Sequence, residues 1–308
     1  MILTVTLNPS VDISYRSDTF SLDKVNRIAD VSKTAGGKGL NVARVLRQLG
    51  EDTAATGFLG GSLGAFIRTG ISSQGIKDFF VKIDGETRNC IAVIHEGRQT
   101  EILEAGPSIS KNESSQFIDA FSEYVQNVEV VTISGSLPKG LVKDFYAKLI
   151  KTANSNDTPV LLDTKGELLA RTLEHADKPW LIKPNLDELA DLVGEKPTDE
   201  KQICDALKQI KGGVPWVVVT TGALGAFVKH EETLYRVGIP AVDAVNPVGS
   251  GDAVMAGFAA GLAQGLKGET FIKYGLAMGV LNAMEAQTGF VNPEKVSWCM
   301  EQIRVDSI

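Results

Sequence analysis

The chain has 308 residues, 43% of them hydrophobic, with 31 basic and 38 acidic side chains and a formal net charge of -7. That much apolar material can build a sizeable core, and the acidic balance without any lysine or arginine stripe argues against a nucleic-acid partner. No segment reaches about 18 uninterrupted apolar residues, and the first apolar run stops at Leu7, so neither a membrane span nor an export leader is expected.

In chain order, the run ILTVTL reads as a strand, residues 39–49 as a helix, and TAATGFLGG as a further strand. Two stretches lack helical period: 9–34, and 79–106, where NCIAVIHE and QTEILEAG alternate in strand fashion about a turn at Gly97-Arg98. Strands without helices to cover them must bury one face elsewhere, so these insertions are expected to form one small β-sheet lid over the carboxyl edge of the main sheet. An extra hairpin packed on the core is the alternative. From about residue 128, β-branched runs alternate with helical stretches: VVTISG, a helix over 141–153, VLLDT, WLIKPN, a helix from Leu186, then VVVTTG. That rhythm belongs to a parallel sheet with helices on its faces. Residues 250–265, 269–286 and 293–303 read as closing helices. The expectation is an α/β core of 1–8, 35–78 and 107–308, with a discontinuous lid of 9–34 and 79–106.

Cys90, Cys204 and Cys299 are odd in number and form no C-x-x-C pair, which points to reduced thiols in a cytoplasmic setting. His95, His175 and His230 have no spacing suited to zinc or to a Ser/His hydrolase. The chemistry must lie elsewhere.

The strongest feature is Asn246-Pro-Val-Gly-Ser-Gly-Asp252, running into the small-residue helix AVMAGFAAGLA. Gly249 and Gly251 let backbone amides converge at a helix start, which is a seat for phosphate. Asp252 beside that seat is either a plain N-cap or a general base that takes a proton from an attacking hydroxyl. A second cluster, Ala35-Gly-Gly-Lys-Gly-Leu-Asn41, precedes the helix from Val42. Gly36 and Gly37 permit close approach of a ligand, while Lys38 and Asn41 offer a charge and an amide; a simple turn is the alternative. It meets neither the Walker A frame nor the dinucleotide fingerprint.

Together these clusters and the lid insertions resemble the PfkB (ribokinase-like) carbohydrate kinases over essentially the whole chain. The resemblance implies a three-layer α/β/α sandwich with a β-sheet lid, ATP as donor and Mg2+ as the required ion. It matches Asp252 to the catalytic base and Gly249, Ser250 and Gly251 to the anion hole. It matches Lys183-Pro-Asn185-Leu-Asp-Glu188 to the N-x-x-E motif, in which Asn185 and Glu188 organise magnesium through water; a capping box is the residue-level alternative. Thr221, Gly222 and Gly225 fall in the nucleotide loop, with Lys183 nearby, and Asn282 falls where adenine is contacted or where a helix is bridged to a loop. Asp12 matches the residue that binds sugar hydroxyls, an Asx turn being the alternative. Lys24, Arg27 and Arg88 match positions that hold the substrate's own phosphate, or are solvated lid charges.

Ser134-Gly-Ser136-Leu-Pro138 is typical of the phosphofructokinase-like branch, which implies an acceptor that already carries phosphate. The wording TVTLNPSVD, ETRNCIAV and QTEILEAGP implies tagatose 6-phosphate, converted to tagatose 1,6-bisphosphate. Fructose 1-phosphate is the alternative acceptor, and a non-catalytic sugar-phosphate sensor the alternative of another class. Exposed lid edges imply a homodimer through the lid.

Overall fold

The computed structural model describes residues 1–210 and 213–308. The amino-terminal third holds β1 (Ile2–Thr6), β2 (Ser10–Ser17), β3 (Asp30–Gly36), α1 (Lys38–Gln48), β4 (Thr53–Gly60), α2 (Gly61–Ser73), β5 (Lys77–Asp78), β6 (Val81–Ile83), β7 (Arg88–His95) and β8 (Arg98–Leu103). Next come α3 (Lys111–Tyr124), β9 (Val130–Ser134), α4 (Phe145–Asn154), β10 (Val160–Asp163), α5 (Gly166–Glu174), β11 (Leu181–Ile182), α6 (Leu186–Val193) and α7 (Glu200–Gln209). The chain closes with β12 (Trp216–Thr220), β13 (Ala226–His230), β14 (Thr233–Gly238), α8 (Ser250–Ala263), α9 (Gly268–Ala283), α10 (Val296–Gln302) and β15 (Arg304–Ser307).

The main sheet runs β15-β14-β13-β12-β11-β10-β9-β1-β4-β5, with β6 beside β4. Strands β12 to β5 along this path are parallel. Every residue of β1, β9 and β10 is buried, because helices cover both faces, and this is why these strands read as unbroken apolar runs. Side chains alternate between two cores: Val130, Leu161, Leu181 and Val218 face α8 and α9, while Val131, Leu162, Ile182 and Val219 face α3, α4, α6 and α7. The result is the three-layer α/β/α arrangement.

The second sheet has the order β3-β2-β7-β8, drawn from the two segments that lack helical period. Val11, Ile13 and Ala35 pack its base against Ile67 and Ile71 of α2. Its hairpin turn is Glu96-Gly97 rather than Gly97-Arg98, since both turn residues have positive φ (48° and 70°) and β7 runs on to His95. β6 belongs to the main sheet: Val81–Ile83 pair with Phe58, Leu59 and Gly60. The carboxyl-terminal edge also departs from the expected rhythm, because β13, β14 and β15 extend the sheet in antiparallel fashion.

Candidate active site

Open α/β sheets bind ligands in the crevice outside the carboxyl ends of their parallel strands. Here β1, β9, β10, β11 and β12 all deliver polar residues to one cleft of about 2070 Å3 between that edge and the four-stranded sheet. A single small ligand fills roughly 300–1,000 Å3, so this cleft has room for two side by side. Among the residues that line it, Thr6 Oγ1, Asn8 Oδ1 and Ser134 Oγ are buried polar atoms with no protein hydrogen-bond partner.

At its centre Gly249 adopts φ +84° and starts α8, with Asp252 in the first helical turn. An added Cβ at Gly249 would strike Thr288, so glycine is required there on two counts. Ser250 N donates to Pro247 O at 3.2 Å, but the next amides of α8 have no carbonyl one turn back, and the dipole adds to their pull on an anion. Asp252 is buried, and Asn41 Nδ2 donates to its Oδ2 at 2.8 Å. The two glycine-bearing motifs, 211 residues apart, therefore meet through one hydrogen bond. Burial pushes the Asp252 carboxyl up to about 6; the charge of Asp163 adds to the rise, and Lys38, Asn41 and Lys183 partly offset it.

Asp163, at the end of β10, was not singled out in the sequence. It is 1% exposed, with Lys38 Nζ at 3.4 Å and Lys183 Nζ at 3.6 Å. Burial alone works against the Lys38 charge, but the carboxylates of Asp163, Asp252 and Glu188 outweigh it, so Lys38 stays protonated. The one available sequence signal was position: a carboxylate ending a parallel strand, in VLLDT, points at the ligand edge. Arg44, one turn beyond Asn41 on α1, was also passed over; its guanidinium bonds to Asn41 Oδ1, Thr288 O and Ala35 O.

On the lid side, Asp12 lies against Gly36 so closely that any side chain at position 36 would overlap its carboxylate. Gly37 has φ +113° and caps α1. Burial pushes the Asp12 carboxyl up, opposed by the Ser10 hydroxyl, which donates at 2.6 Å, and by Arg44 and Arg88. Arg88 lines the cleft and clamps the lid base, donating to Asn8 O at 3.0 Å and Glu104 O at 2.8 Å. Ser136 is exposed on the cleft wall next to Gly135.

Asn185 and Glu188 form a full capping box at the start of α6, with both bonds at 2.9 Å. Glu188 Oε2 serves that box, and both residues line the cleft. Among the described residues no three His, Cys, Asp or Glu side chains gather closely enough to hold a metal by themselves. Gly222 lines the cleft beyond β12, while Thr221 bonds back to Gly225 O at 2.9 and 3.0 Å and shapes the loop from behind.

Of the residues singled out in the sequence, Gly36, Thr221, Gly225, Ser250, Asn282, Lys24 and Arg27 do not line the cleft. Asn282 is fully buried; its amide donates to Val248 O and Ser250 Oγ and accepts from Gly289 N, so it braces the loop before α8 and does not reach an adenine. Lys24 and Arg27 are exposed on the segment between β2 and β3, beside Leu22 and Val25, and neither lines the cleft of its own chain. Sequence position assigned them to the phosphate; the chain path carries them outward.

The sequence pattern of the pfkB family carbohydrate kinases matches residues 5–295. A tagatose-6-phosphate kinase of Staphylococcus epidermidis is 49% identical over 307 residues, 99% of either chain. Among solved structures, Escherichia coli phosphofructokinase-2 in complex with substrates and products is 27% identical with a TM-score of 0.88, covering 97% of this chain and 98% of that one. A Thermotoga maritima chain described as "Possible 1-phosphofructokinase" is 25% identical with a TM-score of 0.91, covering 100% and 99%. A match across nearly the whole chain, on a fold that brings both glycine motifs to one cleft, shows that this protein belongs to the pfkB family of carbohydrate kinases.

Proposed function

We propose that the chain is an ATP-dependent phosphosugar kinase that converts D-tagatose 6-phosphate to D-tagatose 1,6-bisphosphate. The observation that carries this reading is the buried Asp252 at the mouth of α8, hydrogen-bonded to Asn41 and flanked by Lys38 and Lys183. Asp252 takes the proton of the 1-hydroxyl as that oxygen attacks the γ-phosphorus. The amides of Gly249, Ser250 and Gly251 and the Lys38 ammonium stabilise the charge on the moving phosphoryl group, and ADP leaves. Asp12 and Arg88 orient the sugar phosphate, and the loop of Thr221, Gly222 and Gly225 borders the nucleotide.

Mg2+ bound near Asn185 and Glu188 would neutralise the β- and γ-phosphates. The four-stranded sheet of β2, β3, β7 and β8 acts as a lid that moves against the remainder and excludes water from the cleft. Two copies pair through that lid. No helix among the described residues is long and apolar enough to cross a membrane, and Cys90, Cys204 and Cys299 are free thiols, which supports a cytoplasmic setting.

The acceptor is taken from the 49% identical relative. Specificity constants for tagatose 6-phosphate, fructose 6-phosphate and fructose 1-phosphate at saturating ATP test it. Tagatose 6-phosphate should lead by at least about tenfold, the factor that about 1.4 kcal/mol of differential recognition gives. A lead for fructose 1-phosphate would reassign the enzyme, and no turnover with any sugar phosphate would leave a sensor.

A further inference from the structure

Arg44 has no place in the reaction just described, yet it is a part-buried cation between the two halves of the site. Its NH1 donates to Asn41 Oδ1 at 3.1 Å and to Thr288 O at 3.0 Å, and its NH2 to Ala35 O at 2.7 Å. Burying a guanidinium is costly unless its donors and charge are met. Its donors are met by neutral oxygens, while its charge is answered at longer range by Asp12 and Asp252, which oppose the lowering effect of burial on its pKa. The residue therefore connects the sugar end of the cleft with the general base without ion-pairing directly to either carboxylate.

The geometry of Asn41 explains what this achieves. A primary amide has a donor end and an acceptor end, and the two can exchange by rotation about one bond. The donor end must face Asp252 Oδ2, at 2.8 Å. The guanidinium on the opposite side only donates and so requires the amide oxygen, and rotation would set the amide NH2 against a cation and its C=O against a carboxylate. The same arginine ties this amide to Ala35, which precedes Gly36, and to Thr288, whose neighbour Gly289 is held by Asn282. Gln48 closes the strap, donating to Arg44 O and Gly289 O at 3.1 Å and accepting from Val291 N at 2.7 Å.

We propose that Arg44 is a positioning residue for the general base, locking the Asn41 amide with its donor toward Asp252 and strapping the Gly36 turn to the 286–289 loop. This rests on the reading of Asp252 as base. The charged groups facing Asp252 are Lys38 and Arg44 from α1, Asp163 from β10 and Lys183 after β11; those facing Arg44 are Asp12 and Asp252.

The experiment compares Arg44→Met and Arg44→Lys with wild type, following kcat, KM and the pH profile of kcat/KM, with circular dichroism as the fold control. Loss of the fork frees the Asn41 amide and removes a nearby positive charge; both effects favour the protonated acid, so the acidic limb moves to higher pH. Arg44→Met should lower kcat roughly 10- to 100-fold, the size expected when a general base loses its orientation, with KM for ATP little changed. Arg44→Lys restores charge but cannot span three acceptors, so it should recover only part of the limb shift. If Arg44→Met does not fold, Arg44→Lys alone still reads the limb. A limb at its wild-type position in a folded Arg44 variant overturns the proposal, whatever happens to kcat. Asp252→Asn separates the two claims: near-normal turnover there removes the base itself, whereas its loss beside an unmoved limb in the Arg44 variants removes only the strap.

Discussion

At the scale of single residues, Asp252 has a fold-stability role opposite to its catalytic one. Its carboxyl is pushed up to about 6 from 3.8, chiefly by burial, so the folded protein favours the neutral acid. Catalysis needs the carboxylate, which places the acidic limb of kcat/KM in the free enzyme near pH 6, with activity falling below it. For stability the sign runs the other way: above pH 6 the ionised group is destabilising, and the penalty fades as pH falls through 6 toward 3.8. Asp252→Asn keeps the shape of the neutral acid and removes the penalty. Turnover should drop about 10²- to 10⁴-fold. The melting temperature at pH 8 should nonetheless rise by about 2–4 °C, a gain that disappears near pH 4. Calorimetry at both pH values checks this, and an equal change at the two would remove burial of the charge as its cause.

At the scale of elements, α8 matters because it carries the proposed base, and its position is set by close contact with α9. α8 from Asp252 to Gly261 and α9 from Gly275 to Asn282 are buried on every face, while the first turn of α9 carries the exposed Glu269. They approach through glycines: a Cβ at Gly257 would lie 2.9 Å from Gly275 Cα, and one at Gly275 would lie 2.5 Å from Phe258 Cε1. Gly257→Val should therefore push the helices apart, costing about 1–3 kcal/mol of stability and moving Asp252 off Asn41. Urea titration together with kcat reads both effects; unchanged stability would mean the contact is loose. The buried central strands were legible in the sequence because both faces are covered and the apolar run is unbroken. The β13–β15 edge was not, since Lys229, His230 and Arg236 interrupt it where one side meets solvent. Asp252 and the glycines were legible because backbone geometry demands those residue types. Asp163, a lone carboxylate, and Asn282, whose helical register decides whether it faces a ligand or a loop, required the packed structure.

At the scale of the molecule, the four-stranded sheet leaves apolar side chains in water. Leu22 and Val25 are 82% and 79% exposed, Leu103 is 61% and Ile102 54%, and all four belong to this sheet or to the segment joining β2 and β3. A monomer gains nothing from such a surface, and β8 also offers an unpaired edge. Pairing through the lids would cover these residues and would couple closure of one cleft to the other subunit. It would also give Lys24 and Arg27, which lie outside their own cleft, a neighbouring chain to meet. Val25→Asp combined with Ile102→Asp places two charges in that surface without touching the core or the cleft. Sedimentation velocity should show twice the monomer mass for wild type and monomer for the double variant. KM for the sugar phosphate should rise in the variant while its melting temperature changes little. A wild type that sediments as a monomer at micromolar concentration would separate lid movement from subunit pairing, and the exposed strand face would then have to be covered by closure alone.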